Sequence, residues 1–205
     1  MIHPAILVAL SYLIGSIPAA YLAGKLTRGI DLREHGSGNL GATNVYRVLG
    51  AKVALVVLVV DALKGAIPVL VFPGITAANR PDLWAIGYAL AAIAGHVRSI
   101  FLLLRGGGKG VATAAGAFMS LAPLPSLVAL GVFVVVLFVW GYVSLGSLSA
   151  AVVLPVIIGW REGVRSPLFV VSAVVAAFVF WTHRSNIARL RRGEEPRFGK
   201  KTPPG

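Results

Sequence analysis

The chain has 205 residues, of which 57% are hydrophobic and 13% are charged, with a formal net charge of +12 and a mean hydropathy of +0.85. Soluble domains are nearer half apolar and a quarter charged, so the composition excludes a soluble globular protein. The basic residues lie between and after apolar segments, which argues against nucleic-acid binding. The absence of cysteine excludes disulfides, and the N-terminus lacks the pattern of a removable signal peptide.

Apolar segments suited to membrane helices follow one another along the chain, and each crossing needs about 20 such residues. We predict an all-α membrane protein that forms one domain over residues 1–205, with seven transmembrane helices. The predicted spans are residues 4–24, 51–72, 83–104, 111–123, 126–145, 146–160 and 167–182. The fourth and sixth are short, so five full spans with two partial ones is the alternative.

Basic residues are concentrated after the first span, after the third span and in the C-terminal tail. The tail contains Arg184, Arg189, Arg191, Arg192, Arg197, Lys200 and Lys201. The positive-inside rule places these segments in the cytoplasm, and an odd number of spans puts the termini on opposite sides. We therefore predict an outside N-terminus and a cytoplasmic C-terminus, and a flexible tail from residue 198 onward.

The first loop, near residues 31–50, is rich in glycine and short polar residues. It contains Gly36, Ser37, Gly38, Asn39 and Gly41. Glycine lets backbone amides approach a ligand, and the short side chains add hydrogen-bond donors. Thr43 or Asn44 is expected to cap a helix that runs to Leu49, with Arg47 one turn inside. The loop is therefore either an anion site or an ordinary polar connector.

The second loop, near residues 105–113, reads Arg105-Gly-Gly-Gly-Lys-Gly-Val-Ala-Thr113. Consecutive glycines before a helix can form an amide nest for phosphate, and Lys109 would supply charge. It is not a nucleotide P-loop, because Gly110 follows the lysine where that pattern requires Ser or Thr. The alternative is a flexible hinge with one lysine near lipid head groups.

The third segment, near residues 183–197, is basic but contains two residues that a basic surface does not need. His183, Asn186 and Arg189 recur every three residues, so a helix would place them on roughly one face. His183 near the membrane surface could act as an acid, as a base or as a hydrogen-bond donor to phosphate. The alternative is a helix that lies on anionic lipid.

Three ionisable residues lie inside predicted spans. Asp61 and Lys64 are three residues apart and are expected to pair with each other rather than meet lipid. His96 either bonds a backbone carbonyl or positions a substrate. No acidic cluster stands near a histidine at ligand spacing, so neither a metal nor another cofactor is expected.

These motifs together resemble a known family. Gly36-Ser-Gly-Asn-Leu-Gly-Ala-Thr-Asn44 with Arg47, Gly95-His96 leading to Gly107-Gly-Lys-Gly-Val-Ala-Thr113, and His183-Arg-Ser-Asn-Ile-Ala-Arg-Leu190 with Glu195 look like the signature motifs of the PlsY family. These are bacterial acyl-phosphate-dependent glycerol-3-phosphate acyltransferases. Asp61-Ala-Leu-Lys-Gly65 also resembles that family. Arg98 and Ser99 depart from it, since an aromatic residue and a proline are common there.

The resemblance implies transfer of an acyl group from acyl phosphate to the 1-hydroxyl of sn-glycerol 3-phosphate, at the cytoplasmic face of the bacterial inner membrane. The products would be lysophosphatidic acid and inorganic phosphate, and no cofactor would be needed. Catalytic roles are implied for His183, Ser37 and Asn186, with either His183 or a substrate phosphate as the base. Substrate-binding roles are implied for Gly38, Asn39, Thr43, Asn44, Arg47, His96, Gly106, Gly107, Gly108, Lys109, Gly110, Thr113, Arg184 and Glu195. Of these, the loop at Lys109 would hold acyl phosphate, and Arg47 would be near glycerol phosphate.

Two other classes of function compete with this one. A transporter for a small phosphate compound would use the intramembrane charges, but the polar residues cluster toward one face and no halves repeat. A structural membrane protein would explain the arginines but not Ser37 or Asn186. No histidine is followed five positions later by an acidic residue, a pattern of thioester-dependent acyltransferases, which favours acyl phosphate as donor.

Overall fold

The computed structural model describes residues 1–199, and the predicted all-α class is confirmed. Ten α-helices occur in this range, without a β-strand, and one isolated bridge joins Ile2 to Thr76. The chain divides into two compact units, one from Met1 to Leu121 and one from Ala122 onward. The single-domain prediction is not tested by this division and stays a prediction.

The first unit contains six helices. They are α1 (Pro4–Ser16), α2 (Ala19–Arg28), α3 (Ala42–Leu49), α4 (Ala51–Val71), α5 (Pro81–Val97) and α6 (Val111–Leu121). The first two follow one another across a break at Ile17 and Pro18, because proline has no N–H to donate to a helical hydrogen bond. Helix α1 packs on α5, α4 packs on α6, and α3 packs on α4.

Glycines bring the helices of these pairs into backbone contact. A Cβ atom added at Gly95 of α5 would overlap the carbonyl oxygen of Tyr12 in α1. A Cβ at Gly116 of α6 would likewise overlap the carbonyl oxygen of Ala62 in α4. Membrane helices associate through such close packing, since lipid provides no hydrophobic force between them. The small residues therefore fix the positions of α4, α5 and α6, which carry the second glycine loop and the intramembrane charges.

The described part of the second unit contains four helices: α7 (Pro123–Trp140), α8 (Val143–Glu162), α9 (Pro167–Thr182) and α10 (Arg184–Arg192). Helix α8 packs against both α7 and α9. The predicted boundary at residues 145 and 146 is wrong, because α7 ends at Trp140 and its C-cap, Gly141, adopts a left-handed conformation with φ 78°. Apolar residues continue through this boundary, so hydropathy alone misplaces it. As a consequence α8 has 20 residues and is not the short span that was predicted.

Among residues 1–199, five segments are long and apolar enough to cross a membrane: Pro4–Arg28, Ala51–Gly74, Pro81–Leu102, Pro123–Trp140 and Val143–Glu162. Helices α9 and α10 form a pair bent by 58°, which makes a sixth if the pair is one span. Helix α6 has 11 residues, as expected of a short fourth segment. The predicted seven spans are therefore not confirmed as seven, and the orientation of the termini stays a prediction.

The C-terminal segment returns to the start of α8 within the second unit. The backbone N–H of Phe198 donates to the carbonyl oxygen of Gly141 at 2.7 Å, so the flexible tail predicted from residue 198 is wrong at that residue. The guanidinium of Arg197 lies 5.4 Å from the ring centroid of Tyr142. The predicted tail residues Lys200 and Lys201 lie outside the described residues.

Candidate functional site

The first glycine loop is organised by the side chain of Asn44. Its Oδ1 accepts the backbone N–H of Ser37 at 2.8 Å, and its Nδ2 donates to the carbonyl oxygens of His35 at 3.0 Å and Leu32 at 3.4 Å. Asn44 is 2% exposed, whereas Ser37 is exposed. The amide thus fixes the turn from inside and leaves the Ser37 hydroxyl at the surface.

The helix after this loop begins differently from the prediction. Gly41 is the N-cap of α3, with no side-chain cap, so neither Thr43 nor Asn44 caps the helix. The physical reason is that the Asn44 amide is used by the preceding turn. Thr43 lies half-buried in the first turn, and Arg47 is exposed in the last turn.

The two glycine loops are joined through one carbonyl group. The carbonyl oxygen of Gly107 accepts the Asn39 Nδ2–H and the backbone N–H of Leu40, each at 3.3 Å. Gly106 and Gly110 flank this point with φ angles of 83° and 82°, a region that residues with a side chain rarely adopt. The first loop therefore holds the second one in a fixed position, through the segment of the first loop that contains Gly38 and Asn39.

Arg33 also joins the loops, and the sequence reasoning missed it. Its Nη2 pairs with Asp31 Oδ2 at 2.6 Å, and its Nη1 donates to the carbonyl oxygen of Arg105 at 3.4 Å. Hydrogen bonds from Arg33 lower the pKa of the Asp31 carboxyl to about 2. The signal that could have identified it is the Asp-x-Arg spacing directly before the glycines, which allows a carboxylate to orient the guanidinium.

The second loop ends at the N-terminus of α6, where the first-turn amides have no intrahelical partner. Lys109 is half-buried two residues before Val111, the first residue of the helix. Thr113 is fully buried, and its backbone contacts Gly65 of α4 so closely that a Cβ there would overlap it. The structure thus places Lys109 at the loop and Thr113 beneath it.

The predicted pairing of Asp61 with Lys64 is confirmed. Lys64 Nζ lies 2.8 Å from Asp61 Oδ1 and donates to the carbonyl oxygen of Ile17 at 3.0 Å. His96 Nδ1 lies 3.5 Å from the same carboxylate oxygen, rather than on a backbone carbonyl. These side chains and Gly107 are among the residues that line a small cavity with about 220 Å³ of empty space, its open mouth included.

Arg98 and Ser99 hold the turn between His96 and the glycine loop. The Ser99 hydroxyl donates to the carbonyl oxygen of Ser16 at 2.5 Å, and Arg98 Nη1 donates to that of Leu104 at 3.3 Å. The Tyr12 hydroxyl donates to the Arg98 carbonyl at 2.6 Å. The two residues that depart from the family pattern are therefore used to anchor this turn to α1.

In the second unit, His183 lies at the bend between α9 and α10 and is 4% exposed. Its Nδ1 is 2.8 Å from the carbonyl oxygen of Val179. A carbonyl can only accept, so Nδ1 carries the proton, and a neutral ring then has its lone pair on Nε2. The helix bend thus fixes the ring's orientation and its tautomer.

Glu195 is the centre of a polar cluster in this unit that includes residues of α8 and α10. Its Oε1 accepts Asn186 Nδ2–H at 2.6 Å and the Ser144 hydroxyl at 2.7 Å, and its Oε2 accepts Arg189 Nε–H at 2.7 Å. Burial alone would raise the pKa of Glu195, but the hydrogen bonds from Asn186, Ser144 and Arg189 outweigh it and lower the pKa. Asn186 and Arg189 therefore share one face of α10, as predicted, whereas His183, the third residue of the predicted face, is the N-cap of that helix. No local pattern in the sequence indicates Ser144.

Arg184 lies apart from this cluster. Its guanidinium stacks 4.9 Å from the ring centroid of Trp181, and its Nη1 donates to the Trp181 carbonyl at 3.1 Å. Since Arg184 is exposed, it remains available at the surface as a positive charge. Its predicted role in substrate binding stays a prediction.

Comparison with known proteins gives a consistent result across nearly the whole chain. Residues 5–193 match the family described as "Glycerol-3-phosphate acyltransferase". A glycerol-3-phosphate acyltransferase of Trichlorobacter lovleyi is 50% identical over 93% of this chain and 95% of its own. One of Geobacter sulfurreducens is 46% identical over 97% and 99% of the two chains.

Two solved structures share the fold. The crystal structure of PlsY (YgiH), an integral membrane glycerol 3-phosphate acyltransferase, in its glycerol 3-phosphate form superposes with a TM-score of 0.87 at 36% identity, and covers 96% of each chain. Its lysophosphatidic acid form gives a TM-score of 0.84 at 35% identity, and covers 96% of this chain and 95% of that one. These matches favour an enzyme over a transporter or a structural protein. The chain belongs to the glycerol-3-phosphate acyltransferase family and is an integral membrane protein of the PlsY type.

Proposed function

We propose that this acyltransferase takes its acyl group from acyl phosphate and transfers it to the 1-hydroxyl of sn-glycerol 3-phosphate. The products are lysophosphatidic acid and inorganic phosphate. The observation that carries the proposal is the junction of two glycine-rich loops at Gly107, where Asn39 and Leu40 hydrogen-bond one carbonyl oxygen. Two adjoining loops rich in backbone amides suit a reaction in which both substrates are phosphate anions.

The chemistry requires positioning and charge neutralisation more than a protein nucleophile. The acceptor hydroxyl oxygen attacks the acyl carbon, the bond from that carbon to the phosphate oxygen breaks, and phosphate leaves with the electron pair. The hydroxyl proton goes either to His183 Nε2 or to a substrate phosphate. Acyl phosphate is a mixed anhydride with a good leaving group, so an acyl-enzyme intermediate is not needed.

Residues of the first unit are assigned to the two phosphate groups. The loop from Gly106 to Gly110 holds the phosphate of the donor, with Lys109 neutralising charge that develops on the leaving group. Ser37 and Arg47 are assigned to glycerol 3-phosphate, because both are exposed beside the first glycine turn. Arginine suits this role since its planar fork can bind phosphate through two hydrogen bonds.

Residues of the second unit are assigned to the acceptor hydroxyl. The tautomer set by Val179 leaves the lone pair of a neutral His183 ring on Nε2, which is the form a general base requires. Asn186 contributes to the same step by holding α10 in position through its hydrogen bond to Glu195. The donor's acyl chain lies in the bilayer, and the loops face the cytoplasm of a bacterial inner membrane.

The test is an assay of purified protein in detergent with defined substrates. Acyl phosphate and glycerol 3-phosphate should give lysophosphatidic acid and an equal amount of inorganic phosphate, whereas acyl-CoA should give no product. A folded sample that uses acyl-CoA and not acyl phosphate would overturn the assignment of the donor. Acylation of the 2-hydroxyl would overturn the assignment of the acceptor position.

A further inference from the structure

The turn that connects α5 to the second glycine loop contains two leucines in a left-handed conformation. Leu103 and Leu104 have φ angles of 52° and 61°, a region that bulky side chains rarely adopt. Three successive backbone hydrogen bonds close the turn, from the N–H groups of Leu103, Leu104 and Arg105 to the carbonyl oxygens of Ile100, Ser99 and Leu102. Glycine would adopt this conformation without strain, so the two leucine side chains are expected to have a role that offsets the strain.

The outward side of this turn is apolar and exposed. Its exposed side chains are Ile100 at 48%, Phe101 at 58%, Leu103 at 79% and Leu104 at 50%. Between them, Leu102 is buried in a cluster that includes Leu32 and Leu40 of the first glycine loop. Packing within the described residues therefore accounts for Leu102, whereas the four outward side chains are placed to contact something outside the chain.

Two features identify a phospholipid bilayer as that contact. The turn continues directly from Pro81–Leu102, a segment long and apolar enough to cross a membrane. Its apolar residues are flanked by Arg98 and Arg105, which are exposed and form no salt bridge with a carboxylate of residues 1–199. Apolar side chains bordered by cations suit the boundary between acyl chains and anionic head groups.

The same turn is bonded to both glycine loops. Arg98 Nη1 donates to the carbonyl oxygen of Leu104 at 3.3 Å, and Arg33 Nη1 of the first loop donates to the next carbonyl oxygen, that of Arg105, at 3.4 Å. Gly106 follows immediately, and a Cβ atom there would lie 3.0 Å from Cδ of Arg33. The position of the turn in the bilayer therefore sets the position of the loop that begins after it.

We propose that residues 100–104 form a membrane anchor that enters the bilayer interface and holds the second glycine loop at the membrane surface. The outward apolar side chains lie among the lipid acyl chains, and Arg98 and Arg105 contact lipid phosphate groups. Burial of Leu103 and Leu104 in lipid offsets the strain in their backbone. The anchor places the loop where a donor dissolved in the bilayer meets an acceptor dissolved in water, a consequence that rests on the proposed function.

The first experiment measures the depth of the anchor directly. The chain has no cysteine, so a nitroxide on one introduced cysteine reports one position. In vesicles of phosphatidylethanolamine and phosphatidylglycerol, a label on Leu103→Cys should be relaxed more by oxygen, which concentrates in the bilayer, than by a water-soluble nickel chelate. A label on Glu34→Cys, at an exposed residue of the first loop, should show the opposite preference. Equal access of the chelate to both labels would overturn the proposal.

The second experiment removes the apolar side chains without adding strain. Asparagine adopts positive φ angles more readily than leucine, so Leu103→Asn/Leu104→Asn should unfold in detergent at the same temperature as the unmodified protein or higher. Its turnover in the same vesicles should fall about tenfold, because the loop loses its fixed position at the surface. Leu103→Met/Leu104→Met keeps the apolar character and should change turnover less than about twofold. Leu26→Asn is the control, since Leu26 is an exposed leucine of α2 outside both loops.

The outcomes separate the anchor from the proposed function. Full turnover by the folded asparagine variant would overturn the proposal, as would equal losses in the asparagine and methionine variants, which would assign the leucines a role in the shape of the turn. If the asparagine variant fails to fold, the label at residue 103 decides the question. Failure of the unmodified protein to release phosphate from acyl phosphate would instead overturn the proposed function and leave the depth measurement valid.

Discussion

The side-chain oxygen of Asn44 accepts the backbone N–H of Ser37 at 2.8 Å, across seven residues of the first glycine loop. This contact makes a buried amide in α3 the support for an exposed serine in the loop before it. Asn44→Ala should therefore reduce turnover by about tenfold or more, because the turn that presents Ser37 loses all three hydrogen bonds to the amide. Activity with both substrates at saturation, together with the KM for glycerol 3-phosphate, measures the effect.

The control for this variant is Asn79→Ala, which alters an exposed asparagine just before α5 and outside both glycine loops. It should have normal kinetics. Normal kinetics for Asn44→Ala as well would show that the position of Ser37 does not depend on the amide.

His183→Ala should abolish activity or reduce it by about a thousandfold. A general base and a hydrogen-bond donor to the substrate phosphate would both need the ring at this position. His183→Gln should not restore it if proton transfer is the role, because the amide cannot accept a proton at neutral pH. Substantial rescue by glutamine would assign His183 to hydrogen bonding of phosphate and leave a substrate phosphate as the base. His3→Ala, at the exposed N-terminus, serves as the control.

Lys109→Gln should raise the KM for acyl phosphate and lower kcat, because the positive charge acts on both the bound phosphate and the leaving group. A loss of about tenfold to a hundredfold in kcat/KM is expected from removal of one charge-assisted contact. Lys52→Gln is the matched control, since Lys52 is exposed near the start of α4 and belongs to no glycine loop. If only the KM for glycerol 3-phosphate changed, the assignment would be reversed: the second loop would bind glycerol 3-phosphate and the first would bind acyl phosphate.

The sequence was sufficient to predict the membrane class, the loops and the Asp61–Lys64 pair, because hydropathy, glycine clusters and i,i+3 spacing are local properties. It could not locate the end of α7 at Trp140, since apolar residues continue through the turn. Contacts such as Ser144 with Glu195 join residues 51 positions apart and have no local signature. Asn44 shows the same limit: its type suggested a cap or a ligand, and only the folded turn assigns its amide to Ser37.

The close helix crossings should be sensitive to single methyl groups. Gly116→Ala should destabilise the protein by about 1–3 kcal/mol, because the Cβ would overlap the Ala62 carbonyl in α4 and force the two helices apart. Thermal unfolding in detergent measures this effect. Gly131→Ala in α7 is the control, since outside the adjoining residues and backbone of its own helix no heavy atom of the described residues lies within 4 Å of the added Cβ, and alanine is the better helix former by about 1 kcal/mol. Equal destabilisation by both variants would show that the crossing tolerates a methyl group.

Adjacent glutamates provide a matched pair of variants for pH-dependent stability. The buried hydrogen bonds keep the pKa of Glu195 below its ordinary value of 4.5, so the folded protein binds this proton less tightly than the unfolded chain. The ionised carboxylate therefore stabilises the fold fully above pH 4.5, and the contribution is lost as the pH falls from there through the lowered pKa. Glu195→Gln should cost about 2 kcal/mol near neutral pH and should make unfolding less dependent on pH below 4.5. Glu194→Gln should cost less than about 1 kcal/mol, because Glu194 and its partner Arg192 have more than half of each side chain exposed. Parallel pH profiles for Glu195→Gln and the unmodified protein would show that Glu195 does not supply this acid-labile stability.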